Sequence, residues 1–205
     1  MSIERNVVVR EAFNQAAELP YDLRLDDFAI AMQDVYDFFY DVNLLLTSKG
    51  LQRLDDMLRP ANMSGTISDM LSASIAKHSR VLVQNLSFNG HPDLLVRGLY
   101  ANDSVKSGEQ GIEIKTTRKK GGAVDTHGAR NQWMCVLVYQ LDNRTEPAID
   151  RGPMTFTEVY LCNVTLHDFR RNPRSELGTR TATLDRAGLA KLRASWIYRL
   201  APLDR

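Results

Sequence analysis

Around residue 80 the apolar residues of this chain change their spacing, and that change limits the fold more than any other feature. Before it, Phe28, Met32, Val35, Phe39, Val42 and Leu46 recur at steps of three and four, the period that lines one face of an α-helix. After it, Val, Ile and Thr gather in short runs divided by Gly, Asn and Asp, the pattern of strands and turns. The first period predicts a long helix over 25–46, with Asp26 and Asp27 suiting the positive end of its dipole. A second helix is expected over 49–59, stopped by Pro60, and a third over 66–80. Strands are expected at 81–86, 93–100, 111–117, 132–140 and 155–164. The stretch 181–200 returns to helix, with Thr183 as its cap, and closes on a short strand carrying Trp196 and Tyr198. Helices, then a sheet, then a helix imply an α/β layered fold with the core between sheet and helices.

At 205 residues, 43% of them hydrophobic, the chain can fill one sizeable core. It has no internal repeat, low-complexity tract or clear linker, so a single domain over 1–205 is expected, with a helical extension over 1–62 and a core over 63–205. No apolar run approaches the ~20 residues of a membrane span, and MSIERNVVVREAF mixes charges with only three valines. A soluble cytoplasmic protein with no membrane partner is the expectation. Cys135 and Cys162 lie in the apolar runs WMCVLVY and VYLCNV without zinc-site spacing, so both read as small buried hydrophobes in a reducing compartment. Net charge is +1, yet residues 1–70 carry 12 acids against 6 bases while residues 151–205 carry 5 against 10. Such polarity suits one face turned to an anionic polymer; an unevenly solvated surface gives the same counts.

The stretch richest in chemistry runs from HPDLLV at residue 91 to GIEIKTTRKKGG, which ends at residue 122. On a strand, Ile112 and Ile114 point into a core while Glu113 and Lys115 emerge together on the other face. Asp93 opens another apolar run, 20 positions earlier, with Leu94 and Leu95 behind it. Two carboxylates about 4 Å apart repel by roughly 4 kcal/mol at an effective dielectric near 20, so a cation must stand between them. Two carboxylates, a backbone carbonyl and waters are hard oxygen ligands that suit magnesium. A lysine beside them would orient a water, and the metal would offset charge building on a phosphate.

Pro92-Asp93 followed by Glu113-Ile114-Lys115 resembles the PD-(D/E)XK motif of the restriction-endonuclease-like nuclease superfamily, and the chain as a whole is most like a type II restriction endonuclease. The resemblance implies a mixed central sheet flanked by helices, with Asp93, Glu113 and Lys115 catalytic and Asp93 and Glu113 binding Mg2+. Many relatives add an acid from the preceding helix. Asp69 is the candidate, with Ala73 and Ala76 on its stripe letting the helix approach the sheet; an acid favoured by the helix dipole is the alternative. Residues 63–205 then form the catalytic core, and their basic C-terminal part is the recognition region.

Double-stranded DNA is the implied partner. Arg118, Lys119 and Lys120, ahead of two glycines, predict a flexible cationic loop for phosphates. His127, Arg130 and Gln132 precede the next strand and line the same cleft in this reading, while Arg170, Arg171, Arg174 and Arg180 lie on a second basic loop suited to groove recognition. No phosphate-binding glycine loop is present, and the four histidines lack metal-finger spacing. The expected activity is magnesium-dependent hydrolysis of DNA phosphodiesters, in a restriction enzyme or in a repair, recombination or phage DNA-processing nuclease. A non-catalytic DNA-binding protein on the same fold is the rival from another class. Cutting both strands implies a homodimer. The acidic helices, with Phe38, Phe39 and Leu44 to Leu46, either form its interface or pack within the monomer.

Overall fold

Alternation along the two longest strands decides the layers. A computed structural model describes residues 3–171 and 181–200. In β5 (Gln132–Gln140) and β6 (Thr155–Val164), successive residues enter two different cores. Cys135, Leu137, Tyr139, Val159 and Leu161 face one side; Met134, Val136, Val138, Tyr160, Cys162 and Val164 face the other. A sheet buried on both faces must be covered twice. On the first side lie α1 (Leu25–Ser48) and α3 (Pro60–His78), packed together through Phe28, Met32, Val35, Met63, Ile67 and Leu71. On the second lie α4 (Arg186–Ala194) and a small sheet.

The main sheet has six strands in the order β1 (Leu82–Gln84), β2 (Leu94–Val96), β3 (Gly111–Thr117), β5, β6 and β9 (Trp196–Arg199). Only β3 and β5 pair in parallel; the other neighbours are antiparallel. The small sheet orders β4 (Asp125–Thr126), β8 (Ala182–Leu184) and β7 (Phe169–Arg171). The chain is thus α/β, with a mixed sheet between helices. Cys135 and Cys162 are buried free thiols on opposite faces of it. Among the described residues no helix is long and apolar enough to cross a membrane.

Several boundaries differ from the expectations, each for a local reason. Pro60 opens α3 instead of ending a helix, because the first helical position needs no N–H and favours the fixed φ of proline. The helix expected over 49–59 contracts to α2 (Leu54–Met57), and α3 crosses the boundary drawn at residue 62. The apolar stripe of α1 turns polar at Asn43, whose side chain accepts from Leu54 N and donates to Asp55, both at 2.8 Å. Thr183 is no helix cap. Ala182 and Leu184 are buried on either side of it in β8, and Asp185 caps α4 by accepting from Gly188 N at 2.8 Å. The strands expected at 81–86 and 93–100 shorten to β1 and β2 because Asn85 takes over main-chain partners. Its amide donates to the carbonyls of Pro92 and Val105. The acidic helix α1 packs within the monomer through Phe39, leaving Phe38, Leu44 and Leu45 at the surface.

Leu94 pairs with Ile112 and Leu95 with Gly111 across β2 and β3. Gly111 adopts φ +146°, and a Cβ there would lie 2.0 Å from the Leu94 carbonyl oxygen. Glycine is therefore required for these strands to close. Gly111→Ala is expected to lower stability by roughly 2–4 kcal/mol, read as a fall in the urea midpoint at unchanged slope.

Candidate active site

Asp93 immediately precedes the Leu94–Ile112 pair and lies close enough to Glu113 for their charges to interact. Period two then puts Glu113 and Lys115 on the sheet face away from α3, while Ile112 and Ile114 enter the core beneath it. Asp93 is held in place by its own carboxylate, which accepts from Ile114 N at 2.7 Å. Glu113 is only 2% exposed, and a carboxylate so deeply buried requires compensation. It receives two partners: Lys115 Nζ lies 2.5 Å from Oε1 and His91 Nδ1 lies 3.2 Å from Oε2. The His127 ring stands near that of His91, with centroids 6.5 Å apart.

The two carboxyls respond to this setting in opposite directions. Burial pushes Asp93 up to about 6, the charge of Glu113 adds to the push, and Lys115, the Ile114 amide and His91 offset only part of it. Burial also opposes ionisation of Glu113, but His91 and Lys115 outweigh it and hold this carboxyl well below the usual carboxylate range. The cluster is therefore poised to keep one firm negative charge and to surrender a second proton only near neutrality, or earlier if a cation arrives.

The donor set can be tested against a metal ion. Asp93 and Glu113 supply two carboxylates on one face, and among the described residues no three His, Cys, Asp or Glu side chains are grouped to hold a metal. Two carboxylates fit a hard cation that retains most of its waters, as Mg2+ does, and not the three or four protein ligands of a zinc centre.

Asp69 does not join them. It is exposed on α3, and so is Ala73; the helix meets β3 instead through Ser64 and Ser68, whose carbonyl and hydroxyl hydrogen-bond with Thr116 Oγ1. Small residues do allow the close approach, but they are serines one register away from the expected stripe.

The basic run after β3 is divided. Arg118, Lys119 and Lys120 are all exposed, but Arg118 lies near the Tyr139 hydroxyl on the α3 side of the sheet. The turn is anchored, not flexible as expected: Gly121 N donates to Glu158 Oε2 at 2.7 Å, and Arg193 Nε donates to Gly121 O at 3.0 Å. His127 is exposed, Arg130 half-buried. Gln132 is 3% exposed and shares the face of Glu113, because Glu113 pairs with Met134 in the parallel register. Neither atom of its amide has a hydrogen-bond partner, which costs about 1–3 kcal/mol until a ligand group or water supplies one. Arg170 is exposed on β7 beside Thr183. The expected basic loop is thus partly strand: Arg171 lies on β7, while Arg174 and Arg180 fall outside the described residues.

His91 is the residue of this cluster that the sequence reading left unassigned. The signal was only its place two positions before Asp93. No family model, curated protein or solved structure matches the chain, so the reading of the site rests on its own geometry.

The raised Asp93 fixes a sign. Its folded state holds a proton that the unfolded chain releases near pH 4, so it adds stability that is fully present below that pH and is lost as pH rises through about 6. Asp93→Asn removes this titration and keeps an acceptor for Ile114 N. Relative to wild type, the variant should gain roughly 2–3 kcal/mol between pH 4 and pH 7 in urea unfolding with a chelator present.

Proposed function

We propose that the chain is a magnesium-dependent DNA endonuclease of the restriction-endonuclease-like type, with Asp93, Glu113 and Lys115 as its catalytic residues. The observation that carries this reading is the convergence, where the chain enters β2 beside β3, of two acids shifted in opposite directions and a lysine 2.5 Å from one of them. Asp93 and Glu113 would hold Mg2+, which when bound offsets charge on a phosphate and acidifies water. Lys115 is the mobile element. Released from Glu113, its ammonium reaches back over the same face to donate to the attacking water and to the phosphate oxygen on which charge develops. The water oxygen bonds to phosphorus, one ester P–O bond breaks, and the water proton ends on the leaving oxygen. His91 keeps Glu113 ionised and oriented throughout. Lys119 and Lys120, exposed on the turn after β3, and His127, whose ring stands near that of His91, supply phosphate contacts, which give affinity and register without sequence choice. With a single such cluster among the described residues, two copies are the expected unit for cutting a duplex at one place.

That Lys115 and His91 already engage both oxygens of Glu113 favours one alternative, a DNA-binding protein that retains the fold without cutting. Supercoiled plasmid separates the two. Wild type should nick and linearise it in Mg2+ and leave it intact in EDTA, and Lys115→Ala should cut at least about 100-fold more slowly with an unchanged circular dichroism spectrum. Cutting that ignores Mg2+ or Lys115 would reject the mechanism, and binding without cutting would establish the alternative. Discrete fragments would assign sequence-specific restriction; preference for branched or nicked DNA would assign repair.

A further inference from the structure

The turn between β1 and β2 leads straight into the acidic cluster and ends in two bare apolar side chains. Phe88 is 85% exposed and Leu86 73%. Such exposure in a floppy loop would carry little meaning, but this turn is fixed from several sides. Asn85 donates to Pro92 O and Val105 O and accepts from Ser87 N and Val105 N, all within 3.1 Å. Leu86 N donates to Asp103 O, Gly90 N to Ser87 O and Lys106 Nζ to Phe88 O. Gly90 sits so close to its neighbours that a Cβ would fall 2.4 Å from Val105 O. The backbone under Phe88 is therefore held rigidly while its ring stands in water.

Two isolated side chains are too few for a stable protein interface, which takes about 800 Å2 from each partner. Opening a base step takes only one or two apolar wedges, and a phenylalanine costs little entropy to place there when its backbone is already fixed. One cation stands at the wedge itself: Lys106 Nζ donates to the Phe88 carbonyl, where it can meet a backbone phosphate. Phe88 is five residues from Asp93, at most about 18 Å of extended chain, or about five base-pair steps.

We propose that Phe88, with Leu86 beside it, is a wedge that enters the base stack of double-stranded DNA within about five steps of the phosphate to be cut. The proposal rests on the nuclease reading above and adds that the substrate is unstacked near the site.

Insertion unwinds DNA, so the test is a change in linking number. Relaxed plasmid is closed by a topoisomerase with the protein present and Ca2+ in place of Mg2+. Wild type, Phe88→Ala and Phe88→Trp are compared at equal occupancy, set by filter retention. Wild type and Phe88→Trp should shift the topoisomer distribution, and Phe88→Ala should lose most of the shift at an unchanged urea midpoint. A wild-type complex that binds and cuts plasmid without a shift, or a shift retained by Phe88→Ala, overturns the wedge and leaves the nuclease reading standing. Absence of any plasmid binding overturns both. A wild-type dimer in sedimentation that Phe88→Ala converts to monomer assigns Phe88 to a second copy of the chain and also overturns the wedge.

Discussion

Everything of chemical interest in this protein hangs on the closure of β2 against β3. The Leu94–Ile112 pairing brings Asp93, the residue before β2, beside Glu113, and it exists because Gly111 lets the Leu94 carbonyl come within a distance no side chain would permit. Tyr21, from the segment before α1, adds a second brace by accepting from Gly111 N at 3.1 Å. The two acids are thus forced together by backbone pairing and not by any attraction of their own. The repulsion between them is then relieved locally, by the raised proton affinity of Asp93 and by Lys115 and His91 on Glu113.

This arrangement explains why one strand can carry charged residues and still be buried throughout. Only Lys115 of β3 reaches intermediate exposure. Its even-numbered residues satisfy the core under α3, with Thr116 meeting the serines of that helix, while its odd-numbered residues make the polar cluster and, at Thr117, hold the start of the basic turn through Lys119 N. Core and site are two faces of one short segment, so changes that disturb β3 packing will disturb the acids as well. The second face is roofed by the small sheet, whose strand β4 leads directly to His127 beside His91.

The cationic surroundings gain order from the same framework. Arg193 of α4 and Glu158 of β6 both hold Gly121, which ties the Lys119–Lys120 turn to the sheet and to the C-terminal helix. A turn anchored in this way presents charge at a fixed place and pays less ordering entropy on meeting a phosphate backbone. The same holds for the Phe88 turn, braced by Asn85.

The sequence alone determined the features that depend on neighbours along the chain. Period three-and-four gave α1; short runs of Val, Ile and Thr between Gly, Asn and Asp gave β3, β5 and β6 with the bounds they have; and the shared face of Glu113 and Lys115 follows from period two. Tertiary structure decided what depends on partners far away. Asp69 stays apart from the acids because α3, through Ile67 and Leu71, covers the face of β3 that carries Ile112 and Ile114, opposite to Glu113 and Lys115. Thr183 lies in a strand because β7 and β4 flank it, and a three-residue strand has too little pattern to declare itself. The partnership of His91 with Glu113 required the fold to close across 22 positions. Local periodicity is written into consecutive residues, whereas rotation, capping and cross-strand contact are fixed only when the hydrophobic faces choose how to meet.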